Sequence, residues 1–473
     1  MVFSSILFIL FFLPVFFGVY YVVNQKYKNL VFLVFSIFFY AWGAPDFVFI
    51  LLGSTLVNFY LVKKLHFTKT RTHRKILVFL SIFLNLGLLA YFKYSNFFMA
   101  NLNAVLENIG FEAYHWTWVF LPIGISFFTF QSLTYTIDVY RGVHAPLKNP
   151  LNYILYIIMF PQLIAGPIVR YETIADQLTG RSENNDDRLT GFYRFVIGLS
   201  KKVLIADVLG QEVKIIMASD INMLDSSTAW IGILAYAFQI YFDFAGYSDM
   251  AIGIGRMLGF KFPENFDNPY TAASVTEFWR RWHMTFTTFM RYYLYYPLGG
   301  NKVKTQRRLF FNLFTVFLIS GFWHGASWNF VIWGALHGLL LITERLFLLN
   351  ILKKIKKPFA VLYTFLVVVL VWVPFRIEKI SDSLLYYKRL FAFDFEPVHF
   401  AAKNFTYVIL ILALLFSMIT LTNLGKKLQV RIYKTNLSDH EHIGHFVFSI
   451  VILFLSIASL AGWGFSPFIY FKF

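Results

Sequence analysis

Ser320-Gly-Phe-Trp-His-Gly-Ala-Ser-Trp328 joins two strongly apolar runs, 308–322 and 327–347. Such runs, repeated along the whole chain, mark helices that cross a membrane. A titratable ring is costly inside a bilayer, so His324, at their junction, is a functional-site candidate by default. Histidine is also the side chain best suited to moving protons near neutral pH. The stretch predicts an all-α membrane protein with proton-transfer chemistry in its embedded part.

Composition agrees. Of 473 residues, 58% are apolar and 14% charged, where a soluble globular protein carries about 25% charged residues. The formal charge of +17 would suggest nucleic-acid binding in a soluble chain. Here the basic residues cluster in short loops between apolar spans, as the positive-inside bias requires, and no nucleic acid is expected. With no cysteine there is no disulfide framework and no thiolate nucleophile. Val2–Val23 lacks a basic leader and a small-residue cleavage site, and reads as a retained first span.

Loop charge orients the spans. The loop holding Lys63, Lys64, Lys69, Arg71, Arg74 and Lys75 reads as cytoplasmic, as do the clusters 353–357 and 426–434. Segments 96–117 and 219–227 carry acids without Lys or Arg and read as external. Run 151–168 lies between two inside loops and contains Phe160-Pro-Gln-Leu-Ile-Ala-Gly-Pro167, so it is expected to be re-entrant. Candidate full spans are about 2–23, 29–44, 46–62, 76–95, 118–137, 190–217, 228–258, 308–322, 327–347, 357–375, 405–423 and 446–463. The expected architecture is polytopic, with about 11–12 transmembrane helices, a re-entrant segment and interfacial helices in a single domain, 1–473.

Residues 238–308 break the membrane rules. Asp243 and Asp249 lie inside an apolar span and must face partners or a polar cavity. They read either as buried carboxylates bonded to a neighbour or as groups lining the site. Gly246, Gly253 and Gly255 would permit close helix packing. Next comes Glu277-Phe-Trp-Arg-Arg-Trp-His-Met284, too charged and aromatic for a span, suited to a helix at the cytoplasmic interface. Arg280 and Arg281, between Trp279 and Trp282, read as lipid anchors or as a dock for an anionic, phosphate-bearing cofactor. His283 and His324 are 41 residues apart, and sequence alone does not bring them together. Trp323 and His337 are candidates to support the site. In Asp439-His-Glu-His-Ile-Gly-His445 the outer histidines are five apart rather than four, so no metal is expected. No Gly-rich phosphate loop or Ser/His/Asp elbow appears.

Together these residues resemble the membrane-bound O-acyltransferase family, most closely the bacterial branch typified by alginate O-acetylation. The matching blocks are Phe39–Trp42, Phe130–Tyr140, Phe160–Pro167, Tyr241–Gly255, Glu277–Asn301, Gly321–Gly338 and Ser466–Phe471. The resemblance implies an acyltransferase with His324 as the signature histidine and His283 as the second. It further implies a tunnel through the membrane domain, with acetyl-CoA approaching from the cytoplasm. The acetyl group would pass outward, directly or through a periplasmic partner protein, to polysaccharide hydroxyls, and the enzyme would sit in the bacterial inner membrane.

That chemistry suits the residues. A thioester is already activated, so the site must supply a base for the acceptor hydroxyl, positioning, and oxyanion stabilisation. His324 is the candidate base, and His283 would orient the acceptor or stabilise charge. Arg280, Arg281, Trp279 and Trp282 would hold the cofactor, with Asp243, Asp249, Trp323 and His337 lining or supporting the site. Peptidoglycan acetylation and D-alanyl transfer to teichoic acid keep the enzyme class. A proton-coupled transporter would also use a re-entrant segment and intramembrane carboxylates.

Overall fold

The computed structural model describes residues 3–396, 405–463 and 468. Their regular secondary structure is all helical, with no strand among them. The chain divides into two compact units, Met1–Glu183 with Gly259–Phe262, and Asn184–Leu258 with Pro263–Phe473.

The first unit contains α1 (Leu13–Val22), α2 (Lys28–Gly43), α3 (Val48–Phe67), α4 (Arg71–Leu89), α5 (Ser95–Asn108), α6 (Ile125–Arg141) and α7 (Pro150–Ile158). Lipid tails are as apolar as leucine, so embedded helices associate through close packing and hydrogen bonds. Here Asn58 of α3 donates to Tyr153 of α7 at 2.7 Å, and its amide oxygen accepts from Asn85 of α4 at 3.0 Å. Ser81 of α4 meets Thr136 of α6 at 2.7 Å. The segment 151–168 is broken as its prolines require. Helix α7 stops at Ile158, Met159 leaves the helical region, and Phe160–Leu163 makes one further turn. Nine residues span about 14 Å, short of a hydrocarbon core of about 30 Å. The Phe160 ring then packs edge-on against Phe12 at 5.3 Å and Phe16 at 5.1 Å.

The second unit holds α8 (Asn185–Ser200), α9 (Asp207–Ala218), α10 (Ser226–Met257), α11 (Val275–Arg281), α12 (Met284–Met290), α13 (Gln306–His324), α14 (Trp328–Thr343), α15 (Lys357–Arg376), α16 (Ile380–Leu390), α17 (Thr406–Met418), α18 (Asn423–Ile432) and α19 (Asp439–Trp463). Helix α10 is its axis. Asp225 caps it by accepting from the Thr228 amide at 2.9 Å. Two glycine pairs bring α10 against antiparallel α8. A Cβ on Gly191 would lie 2.7 Å from the Gly253 carbonyl, and one on Gly246 would lie 2.6 Å from the Gly198 carbonyl. The seven-residue spacing on both helices repeats the contact two turns along, so only glycine fits at either crossing.

Among the described residues, six helical rods are long and apolar enough to cross a membrane on their own: Pro45–Phe67, Arg71–Asn108, Ser226–Met257, Trp328–Leu352, Lys357–Arg376 and Asp439–Gly462. Helices Thr406–Leu421 and Asn423–Ile432 form a pair bent by 98°. The other apolar runs are shorter or interrupted. Run 190–217 contains a widened helical turn at Lys201–Ala206, where Lys201 and Lys202 need partners. Run 2–23 gives an apolar helix over Phe8–Val22 only. The chain is a multi-pass, all-α membrane protein. Of the terminal block Ser466–Phe471, only Phe468 lies within the described residues.

Candidate active site

Helix α13 ends at His324, and after Gly325–Ser327 the chain turns back as α14. The two helices touch backbone to backbone. A Cβ on Gly334 would lie 3.0 Å from Gly321 Cα, and one on Gly321 would run into the Phe330 carbonyl. This contact fixes His324 at the closed end of a hairpin. Its ring is 4% exposed, with the aromatic rings of Trp323, Trp333 and Phe375 centred 4.8, 5.0 and 5.3 Å away.

The segment 275–295 is two seven-residue helices, α11 and α12, with a break at Trp282-His283, followed by a widened helical turn over Arg291–Tyr295. The interface reading places its tryptophans at the headgroups; instead Trp279 and Trp282 are buried. His283 adopts a left-handed conformation, φ 44°. That position is uncommon for a side chain other than glycine and is held by what surrounds it. Burial pushes the His283 imidazole down to about 3, so the ring is neutral at physiological pH. Two groups fix the start of α11. Ser274 accepts from the Glu277 amide at 3.0 Å. The buried Glu344 carboxylate, beyond the end of α14, accepts from the amides of Val275 at 2.5 Å and Thr276 at 2.8 Å, and from the Thr276 hydroxyl at 2.6 Å. A carboxylate at a helix N-terminus is favourable both as an acceptor and as a charge.

Phe286, on α12, brings the two histidines together. Its ring stacks on Trp323 at 4.4 Å, lies 5.1 Å from the His283 ring and 5.7 Å from the His324 ring. The histidines that are 41 residues apart in sequence thus flank one phenyl group.

A cavity of about 210 Å³ also reaches Phe286. Arg280, Arg291 and Arg345 line it with Trp279, Tyr295 and Ser320, and no carboxylate does among the described residues. A cluster of guanidiniums without counter-charge fits a phosphate-bearing ligand. Arg280 makes no hydrogen bond or ion pair among the described residues. Arg281 is elsewhere, paired with Glu277 at 2.6 Å and donating to Thr271 at 3.0 Å. Trp282 packs into the aromatic core between Phe266 and Trp372. Of the four residues expected to hold the cofactor, Trp279 and Arg280 line this cavity and Arg281 and Trp282 do not. His337 accepts from the Trp279 indole N–H at 3.2 Å and so orients that cavity wall.

The intramembrane carboxylates pair with bases of α8 and of the widened turn after it, Lys201–Ala206. Asp249 is held by Arg194 and Lys201, both at 2.6 Å. Asp243 pairs with Lys202 at 3.1 Å. On another face of α10, Phe244 packs 4.6 Å from the His283 ring, and Ser248 accepts from Asn265, which contacts that histidine. Among the described residues no group of His, Asp and Glu could hold a metal ion.

A profile of the membrane-bound O-acyltransferase family matches residues 139–373. The chain is 42% identical over 398 residues to the Probable alginate O-acetylase AlgI of Pseudomonas aeruginosa, covering 83% of this chain and 75% of that protein. The chain belongs to the membrane-bound O-acyltransferase family. Identity to the Probable alginate O-acetylase AlgI of Pseudomonas putida is 44%, over 83% of this chain and 81% of that one. The Peptidoglycan O-acetyltransferase of Helicobacter pylori is 38% identical, over 81% of this chain and 78% of that protein. As a membrane-bound O-acyltransferase the protein takes an acyl donor. The matched region holds Asp243, Asp249, Arg280, His283, His324 and His337.

Sequence reasoning missed Phe286, Asn265, Glu344 and Arg345. Phe286 is one of 59 phenylalanines and carries no signal of its own. Glu344 had one, as an acid at the end of an apolar run. Such a group needs a buried partner, and backbone amides supplied it.

Proposed function

We propose that this membrane-bound O-acyltransferase moves an acetyl group from cytoplasmic acetyl-CoA to hydroxyls of an extracytoplasmic polysaccharide, an alginate-like exopolymer foremost. The observation that carries the reading is the guanidinium-lined cavity reaching the phenyl ring that both histidines touch. Arg280, Arg291 and Arg345 bind the phosphates of the donor, and Trp279 packs beside them. Bound there, the donor supplies an acyl carbon already activated as a thioester. His324 takes the proton of the acceptor hydroxyl and returns it to the departing sulfur. His283 holds the acceptor. The enzyme works as one membrane-embedded domain in the bacterial inner membrane, and the acetyl group reaches the polymer directly or through a periplasmic partner protein.

Peptidoglycan is the second acceptor to weigh, on the 38% identity to the Helicobacter pylori enzyme. Mass spectrometry of envelope glycans from a deletion strain separates the two. Loss of acetyl esters from a secreted polysaccharide supports the first; loss confined to muropeptides supports the second. Ion-dependent solute flux in vesicles, with no acetyl transfer by the purified protein, would replace both with a carrier.

A further inference from the structure

Asn265, between α10 and α11, is buried and fully engaged. Its Oδ1 lies 3.0 Å from His283 Nδ1, and accepts from the Thr285 hydroxyl at 2.9 Å and the Thr285 amide at 3.3 Å. Its Nδ2 donates to Ser248 Oγ at 2.9 Å. Its backbone carbonyl accepts from the Met284 amide at 2.9 Å, and the Asp267 amide donates to the Arg281 carbonyl at 2.9 Å. The chain on both sides of His283 is therefore tied to 265–267, which holds the ring in its left-handed backbone position.

These contacts fix a proton. A backbone amide only donates, so the Asn265 atom facing the Thr285 N–H is oxygen, and the side-chain orientation is settled by chemistry. An amide oxygen only accepts, so the His283 nitrogen opposite it carries hydrogen. In a neutral imidazole the other nitrogen is then a bare acceptor. That atom, Nε2, is buried and has no hydrogen-bond partner among the described residues. A buried acceptor of this kind is one that a water or a ligand can complete.

We propose that Asn265 is a positioning residue that locks His283 in the Nδ1–H tautomer and so presents Nε2 as an acceptor for a hydroxyl of the acyl acceptor beside the one that reacts. This rests on the acyl-transfer reading above and divides the labour within it. His283 receives a hydrogen bond from that neighbouring hydroxyl, leaves the proton of the reacting hydroxyl to the base, and does not donate to the developing oxyanion. His324 takes the proton.

The test uses the full chain in detergent with nitrogen-15-labelled histidine. The His283 signals, assigned by their loss in His283→Gln, show a protonated Nδ1 and a bare Nε2 at neutral pH. A protonated Nε2 in the wild-type protein overturns the proposal. Asn265→Leu, which removes the acceptor, lowers kcat at least about tenfold with the donor KM within about twofold. Asn265→Asp, which keeps an acceptor oxygen, recovers most of the rate. Wild-type kcat in Asn265→Leu, with His324→Ala inactive, defeats this inference alone. An active His324→Ala defeats the reaction assignment beneath it.

Discussion

Arg280 and Arg281 are adjacent in the chain and opposite in circumstance. Arg281 is neutralised by Glu277 at 2.6 Å, while Arg280 opens onto a cavity with two other guanidiniums and no acid. A hydrogen bond to a charged group is worth about 1.5–3 kcal/mol, and about 1.4 kcal/mol is a factor of ten. Arg280→Ala therefore raises the KM for acetyl-CoA about tenfold or more, and Arg281→Ala leaves it nearly unchanged. Steady-state kinetics at varied donor concentration checks the pair; equal effects would mean the cavity is not the donor site. Sequence alone ranked the two alike, because the motif Trp-Arg-Arg-Trp gives no helical phase once the chain breaks at His283. His324 was legible for the opposite reason. A lone imidazole between two apolar runs stands out whatever its neighbours turn out to be.

At the level of helices, the site depends on contacts that leave no room for a side chain. Gly253 on α10 faces the Gly191 carbonyl on α8, where an added Cβ would sit 2.5 Å from backbone oxygen. Gly253→Val is expected to push α8 away and to separate Arg194 from Asp249, now 2.6 Å apart. Breaking a buried ion pair costs about 3–5 kcal/mol. A fall in the thermal unfolding midpoint in detergent reads this, and an unchanged midpoint would contradict the glycine crossing. Glu344→Ala acts on α11 instead. It leaves two amide donors at the head of that helix without their acceptor, each worth about 1–3 kcal/mol. Acetyl transfer should fall with the donor KM rising, because Trp279 and Arg280 ride on α11, and Glu344→Gln should restore part of it. The sequence displayed Gly246, Gly253 and the carboxylates of α10, but not their partners. Pairing between distant helices is set by packing, which no local pattern reports.

Over the whole molecule, composition and loop charge were enough for an all-α, multi-pass membrane protein. Helix number was harder to read, because among the described residues length and apolarity qualify six rods and one bent pair, while other apolar runs are short or interrupted. What an embedded transferase must arrange is a proton acceptor reached by a thioester and by an alcohol. In the proposed reading the first approach is the guanidinium-lined cavity, which reaches Phe286. The most direct measurement is single-turnover transfer from radiolabelled acetyl-CoA to an acceptor oligosaccharide by purified wild type, His324→Ala and His324→Asn. General-base catalysis contributes about 10²–10⁴-fold, so both variants should fall by at least about a hundredfold while eluting and unfolding as the wild type does. Transfer at the wild-type rate by either variant would contradict the account.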